Sequence, residues 1–292
     1  MTLPFPHVEG TLLSDHCTFG IGGPAKYFAE AKTVSEMVQM LSYCHQKKLP
    51  FFILGKGSNT LFDDRGYNGL VIFNRIDTLE HQEGRFIVGS GYGFARLGSQ
   101  TARLGWSGLE FASGIPATVG GAIYMNAGAN GKETKDALES VTFVTETGEI
   151  VNYKKEELEF GYRHSSFQRM QGAIVSAVFI LTSSPVAKVS QKEILEYRLK
   201  TQPYKDKSAG CAFRNPPGLA AGKLIDECGG KGIRVGQAAV SDKHANFIIN
   251  TGSAKASDIL HLIREIKETV YKEKGVHLEE EIRYVPYEPS ND

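Results

Sequence analysis

The chain is short of cysteine. It has four in 292 residues, Cys17, Cys44, Cys211 and Cys228, and no C-x-x-C pair. That pattern argues against a disulfide framework and a cysteine-ligated zinc site, and fits a reduced, cytoplasmic protein. The eight histidines are scattered without ligand spacing, so no metal is expected. Charge of one sign is also lacking. With 33 Lys and Arg against 33 Asp and Glu, nothing draws the chain to nucleic acid or to an anionic membrane surface. No apolar run approaches the roughly 20 residues that span a bilayer. Residues 1–10 hold two prolines, a histidine and a glutamate but no basic stretch leading into an apolar one, so no signal peptide is expected.

What is present is ordinary globular composition, 41% hydrophobic and 23% charged, at a length that suggests two or three domains. Glycine is the exception: 32 residues, about 11% of the chain, against roughly 7% in average proteins. The pattern predicts a helix from Thr33 to Lys48, with Thr33 and Glu36 as a capping box. A buried strand Phe51–Leu54 and a second strand from Gly69 to Phe73 complete a small α/β unit over 1–75. Over 76–185, short strands (Arg85 to Val88, Val141 to Thr145, Glu149 to Tyr153, Ile174 to Leu181) surround a helix near Phe94 to Leu104. Ser183-Ser184-Pro185 reads as a boundary. Beyond it, over 186–292, Ser190 with Glu193 is expected to open a helix. A second helix is expected from Leu219 to Cys228. A third runs from Ser257 to Lys274, with a stripe of Ile259, Leu260, Leu262, Ile263, Ile266 and Val270 and a C-cap at Gly275. The tail from Pro286 is expected to fray. The fold class is α+β.

Two glycine-rich segments stand out. Gly55-Lys56-Gly57-Ser58-Asn59 follows a strand, where successive backbone N–H groups can converge on a phosphate. It is neither G-x-G-x-x-G nor a P-loop, and a tight strand-to-strand turn reads equally well. The run from Gly114 to Gly128 has almost no charge and no long apolar period. It suits backbone lying against a large flat or anionic ligand, or else buried packing. Two such segments in one chain favour a dinucleotide.

At this point the motifs match a known family. They are Thr18 to Ala25, Gly55 to Leu61, Gly108-Leu109-Glu110, Gly114 to Gly128, Tyr162-Arg163-His164-Ser165, Phe213-Arg214-Asn215-Pro216, His244-Ala245-Asn246-Phe247 and Leu278 to Glu281. In this order the sequence resembles the UDP-N-acetylenolpyruvoylglucosamine reductases of peptidoglycan precursor synthesis, from about Thr18 to Tyr284. The resemblance implies a vanillyl-alcohol-oxidase-type (PCMH-type) FAD-binding domain of two α/β subdomains, 1–75 and 76–185. It also implies a C-terminal α+β domain, 186–292, for the UDP-sugar. It implies noncovalent FAD and NADPH, with UDP-N-acetylglucosamine enolpyruvate as substrate. A monomer without nucleic-acid or membrane partners is expected. The cofactor residues implied are Gly55, Lys56, Gly57, Ser58, Asn59, Leu61, Gly114, Ile115, Pro116, Thr118, Gly120, Gly121, Asn126, Ala127 and Gly128. No long insertion separates Phe167 from Ser190, so the chain resembles the shorter subclass without a tyrosine-bearing clamp loop.

Reducing a carbon–carbon double bond conjugated to a carboxylate takes a hydride at the β carbon. It also takes stabilisation of the charge that grows on the carboxylate, and a proton at the α carbon. Arg163 matches the family's catalytic arginine, and a guanidinium fork suits a carboxylate. Glu281 matches the catalytic glutamate, which helps beside a developing dianion only if it holds a proton or a hydrogen bond. Cys211 stands where the family more often has a serine proton donor. A thiol is the better acid and is mostly protonated at neutral pH. Arg214, Asn215, Lys223, Gln237 and His244 are the implied sugar or diphosphate contacts, although Lys223 also reads as a solvated helix face. Ala117 stands where the family usually carries glycine, with either a tighter flavin pocket or no effect. Two other readings stay open: a sugar or alcohol oxidase with a tethered flavin, and a nucleotide-sugar-binding module without catalysis.

Overall fold

A computed structural model describes residues 3–289. The chain folds as two compact units that do not follow chain order. The first holds residues up to 8, then 27–56 and 69–198. The second holds 9–26, 57–68 and 199 onward.

In the first unit, helix α1 (Val34–Lys47) starts on the expected capping box: Thr33 Oγ1 accepts from Glu36 N at 3.1 Å and Glu36 Oε2 from Thr33 N at 3.1 Å. Its apolar face of Met37, Met40, Leu41 and Cys44 packs with Tyr27, Leu70 and Ile72. Burial pushes the Cys44 thiol up to about 12, which makes it an inert core residue. Strand Phe51–Leu54 pairs in parallel with Tyr67–Asn74, whose other neighbour is Pro24–Ala31. That last strand is a long one that the pattern reading missed.

A five-stranded antiparallel sheet follows, in the order Ile150–Lys154, Leu138–Thr145, Gly172–Ile180, Arg85–Gly89, Leu79–Gln82. Its central strand serves two cores because it carries a bulge. Thr142 pairs with Ser176 but Phe143 pairs with Ile174, so Val175 is the extra residue. A one-residue slip exchanges the faces of a strand. Accordingly Ala173 and Val175 join the α1 core, while Ala177 and Phe179 join a second core. That second core is built on helix α2 (Phe94–Arg103), helix α3 (Val119–Tyr124) and an aromatic group that includes Phe143 stacked on Phe167 at 5.4 Å.

Helix α4 spans Ala187–Thr201 and departs from expectation. Ser190 is not its cap, because Ser190 N already donates to Val186 O at 3.0 Å inside the helix. The chain instead turns at Pro185–Val186 and enters the helix at Ala187, whose N–H donates to Ser184 O at 3.4 Å.

In the second unit, α5 is Ala221–Glu227 and α6 is Ala256–Lys274. The predicted α6 stripe is buried at Ile259, Leu262, Ile263, Ile266 and Val270, with Leu260 packed at its edge. Gly275 closes the helix at φ +68°. The N-terminal cap comes from far away in sequence: Asp64 Oδ1 accepts from Ala256 N at 2.8 Å. Three strands, Arg234–Val235, Ala238–Val240 and Ile248–Asn250, form one small sheet, and Thr60–Phe62 pairs in parallel with Arg283–Val285. Beyond Val285 the chain is irregular but held rather than frayed. Asn68 Nδ2 donates to Glu288 O at 3.1 Å, and the Arg65 guanidinium lies 5.1 Å from the Tyr287 ring centre. The rest of the expected frayed tail, residues 290–292, lies outside the described residues.

Candidate active site

In the first unit, Gly55 follows the strand Phe51–Leu54 and lies against Thr118. A Cβ at Gly55 would stand 2.5 Å from Thr118 Oγ1, so the packing itself demands glycine. Thr118 caps α3, its Oγ1 accepting from Gly121 N at 3.3 Å. The 114–128 segment is therefore less irregular than expected: it begins in the 3₁₀ turn Glu110–Gly114 and contains α3. Gly121 is different from Gly55. It is exposed, and a Cβ there would meet nothing closer than Thr118 Oγ1 at 3.4 Å. The protein's own atoms give no reason for glycine at this position, whereas close approach of a flat cofactor does. These residues fit FAD. Ala117 is half-buried and packs on the second core, with its N–H donating to Ile115 O at 2.8 Å.

Arg163 is the second of two residues turning the hairpin between Phe160–Gly161 and His164–Ser165. Its φ is +54°, while Tyr162 before it stays at negative φ. A turn with only its second central residue left-handed ordinarily takes glycine or asparagine there. The guanidinium carbon sits 4.8 Å from the Tyr162 ring centre, and Nη2 donates to Gly128 O at 3.3 Å. Asn126, fully buried and itself at φ +42°, donates to Gly161 O at 2.9 Å and to Glu133 Oε2 at 3.0 Å. Its Oδ1 accepts from Lys135 N at 3.1 Å. The first unit thus gathers Arg163, Asn126 and Gly128 into one cluster, and Gly55 and Thr118 into another.

The second unit gathers Cys211, Glu281 and Asn59. Residues 211–214 run as an extended segment between two others. On one side Cys211 bridges Phe247, and Ala212 N donates to Asn246 O at 2.7 Å. On the other, Phe213 bridges Glu280, Glu281 N donates to Ala212 O at 2.8 Å and Arg214 N to Glu279 O at 2.8 Å. Asn59 completes the arrangement. Its Nδ2 donates to Glu281 O at 3.0 Å, and its O accepts from Arg283 N at 2.9 Å. The strand after Glu281 is fastened by Asp63, which accepts from the Tyr284 hydroxyl at 2.6 Å and from Arg65 through both oxygens at 2.9 Å. The Arg65 guanidinium holds the Asp63 carboxyl well below the usual carboxylate range. Burial, with that carboxylate beside it, pushes the Tyr284 phenol up to about 12.

The remaining expected residues are more dispersed. Gly57 sits at φ +60° directly on Cys17, where a Cβ would come within 2.6 Å of the Cys17 Cβ. Burial pushes the Cys17 thiol up. Lys56 is exposed, Ser58 half-buried, and Leu61 fills the core. Arg214 pairs loosely with Glu279 at 3.9 Å, and its buried Nε has no hydrogen-bond partner. Asn215 Oδ1 accepts from Ala221 N at 3.0 Å at the start of α5. Lys223 is an exposed partner of Glu227 at 3.8 Å. Gln237 Oε1 accepts from Thr251 Oγ1 at 3.2 Å, and the His244 ring lies 4.9 Å from that of Phe247.

Sequence reasoning missed Asn246, whose side chain clamps the backbone on which Cys211 rides. Its Oδ1 accepts from Phe213 N at 2.9 Å and its Nδ2 donates to Phe213 O at 2.8 Å. It lay inside the His244-Ala245-Asn246-Phe247 motif, and a polar residue between apolar neighbours was the available signal. It also missed Asp63 and Gln168, for which the local pattern carries no signal.

An FAD-binding family model matches residues 25–154, and the model for the UDP-N-acetylenolpyruvoylglucosamine reductase C-terminal domain matches 202–285. The two together define an FAD-dependent oxidoreductase, and the expected α+β fold with a flavin domain and a C-terminal domain stands. The UDP-N-acetylenolpyruvoylglucosamine reductase of Protochlamydia amoebophila is 59% identical over 99% of this chain and 97% of that protein. That of Chlamydia pneumoniae is 47% identical over 99% of this chain and 95% of that protein. The crystal structure of the Thermus caldophilus enzyme superposes with a TM-score of 0.83 at 41% identity, covering 97% of this chain and all of that one. The chain belongs to the UDP-N-acetylenolpyruvoylglucosamine reductase family. Among the described residues, no helix is long and apolar enough to cross a membrane.

Proposed function

We propose that this enzyme reduces UDP-N-acetylglucosamine enolpyruvate to UDP-N-acetylmuramate, with NADPH as the electron source, as a monomer in the cytoplasm. Residues 1–75 and 76–185 serve the flavin and 186–292 the UDP-sugar. Bound FAD would supply the hydride chemistry between NADPH and the enolpyruvyl β carbon. Gly55 to Asn59, Leu61 and the Gly114 to Gly128 residues hold it. Arg163 pairs with the substrate carboxylate and stabilises the charge that develops there. Glu281 supports the same charge as a hydrogen-bond donor. Cys211 Sγ delivers the proton to the α carbon. Arg214 and Asn215 with Lys223, Gln237 and His244 contact the sugar and diphosphate.

The observation that carries this reading is the pairing of the two segments that hold Cys211 and Glu281, through Ala212 O and Glu281 N at 2.8 Å. Two groups that must act on one small substrate gain from a rigid mutual spacing. The buried, unpartnered Nε of Arg214 also supports an anionic ligand.

The test is the visible spectrum of the purified holoenzyme under anaerobic conditions. NADPH should bleach the flavin and the enolpyruvyl substrate should restore it. A flavin that NADPH reduces but the substrate cannot reoxidise would sink the proposal.

A further inference from the structure

Arg163 is asked to hold a left-handed backbone at φ +54°, a strained conformation for a non-glycine residue that persists only where neighbours over-determine it. Its neighbours can be named. Gln168, in the 3₁₀ turn Ser166–Gln168, donates from Nε2 to Arg163 O at 3.0 Å and to Tyr124 O at 2.9 Å. An amide nitrogen has two hydrogens, and these two carbonyls, closer and stronger acceptors than the Met125 Sδ at 3.6 Å, take both. The Gln168 Oε1 is fixed from the other side by His164 Nδ1 at 3.3 Å, and His164 Nε2 faces Arg169 Nη2 at 3.2 Å. Because a guanidinium only donates, His164 Nε2 is the acceptor and Nδ1 carries the proton toward Gln168. Every amide group of Gln168 is therefore committed in one direction, and the amide cannot flip without losing both carbonyls.

We propose that Gln168 is a positioning residue for Arg163: its amide ties the Arg163 carbonyl to Tyr124 at the end of α3 and holds the turn in the left-handed form that aims the guanidinium at the substrate carboxylate. This rests on the role proposed for Arg163. It goes beyond that role by assigning the orientation of Arg163 to a side chain outside the residues named above as contacts of substrate or cofactor.

The experiment follows the two half-reactions of the FAD-loaded enzyme by stopped flow. In Gln168→Ala, flavin reduction by NADPH should stay within about twofold while reoxidation by UDP-N-acetylglucosamine enolpyruvate slows about tenfold or more, since small displacements of a reacting group carry large rate penalties. Gln168→Glu keeps the shape but loses both donors, and should behave like Gln168→Ala. Gln168→Lys offers an ammonium that donates to both carbonyls, and should recover reoxidation to within about threefold. In an Arg163→Ala background, Gln168→Ala should add no further slowing. Equal slowing of both half-reactions, recovery by Glu but not Lys, or a further tenfold loss in the Arg163→Ala background would overturn the proposal. Wild-type reoxidation in Arg163→Ala alone would instead overturn the role of Arg163 on which it rests.

Discussion

The two clusters are built in opposite ways. The Arg163 cluster is local: the residues that hold it, Tyr124, Asn126, Gly128, Gly161 and Gln168, lie within 44 positions of one another. The Cys211 cluster is assembled from segments far apart in the chain, with Asn59 bonded to Glu281 across 222 positions. The local cluster stores backbone strain in single residues. The assembled cluster has none of that strain at Cys211 or Glu281 and depends on buried hydrogen bonds between segments. One is set by a turn, the other by the folding of a whole unit.

That contrast can be broken or sharpened by substitution. The largest effect is expected at the chemistry. Cys211→Ala should leave flavin reduction by NADPH intact and slow reoxidation by about 10²–10⁴-fold, while Cys211→Ser retains most of the rate; two fast half-reactions in Cys211→Ala would remove the thiol from the mechanism. Next comes Asn246→Ala, which strands the N–H and carbonyl of Phe213 in a buried site. It should cost about 3 kcal/mol in urea unfolding, with the loss felt by the whole second unit and not by the Arg163 turn. Hydrogen exchange resolves the two, and uniform loss of protection in both units would erase the contrast. Gly57→Ala places a side chain at φ +60° against Cys17 and should cost about 2 kcal/mol, with weaker FAD retention on gel filtration.

Tyr284→Phe removes one hydrogen bond of the strand after Glu281 and should cost about 1 kcal/mol. Its pH dependence has a definite sign. The Tyr284 phenol is raised, so its stabilising contribution is complete below about pH 10 and is lost as pH rises toward about 12. Asp63 is depressed, so its contribution is complete above about pH 4 and is lost as pH falls below that. The variant should flatten the alkaline limb of an unfolding-versus-pH curve and leave most of the acid limb, which Asp63→Asn should flatten. The smallest effect is expected at Lys223→Ala, where an exposed, solvent-screened ion pair of 3.8 Å contributes little to stability. A stability loss above 1 kcal/mol there would mean that the residue is structural.

Legibility in the sequence followed the same divide. The helices whose signals are local, α1 with its capping box and α6 with its stripe, were read nearly residue for residue. The start of α4 was misread because Ser-x-x-Glu inside a helix looks like Ser-x-x-Glu at its start; the deciding feature was Pro185, three residues before Lys188. The α6 cap was invisible because Asp64 lies 192 positions from Ala256. Arg163, Cys211 and Glu281 were legible only through family motifs. Neither the left-handed turn nor the strand pairing around Ala212 leaves a periodic trace. The bulge at Val175, which lets one strand serve two cores, is likewise a matter of pairing and not of pattern.

The parallel pairing of Thr60–Phe62 with Arg283–Val285 has a consequence for how the protein is made. On a ribosome adding about 5–20 residues per second, the early strand emerges roughly ten to forty seconds before its partner, which lies 221 positions later as counted between Asp63 and Tyr284. During that interval Thr60, Leu61 and Phe62 lack this partner strand, and an unpaired strand edge is the kind that recruits other chains. The strand pair in the second unit cannot form until Arg283–Val285 has been made, and nascent-chain arrest shortly before Arg283 would leave that edge open to other chains.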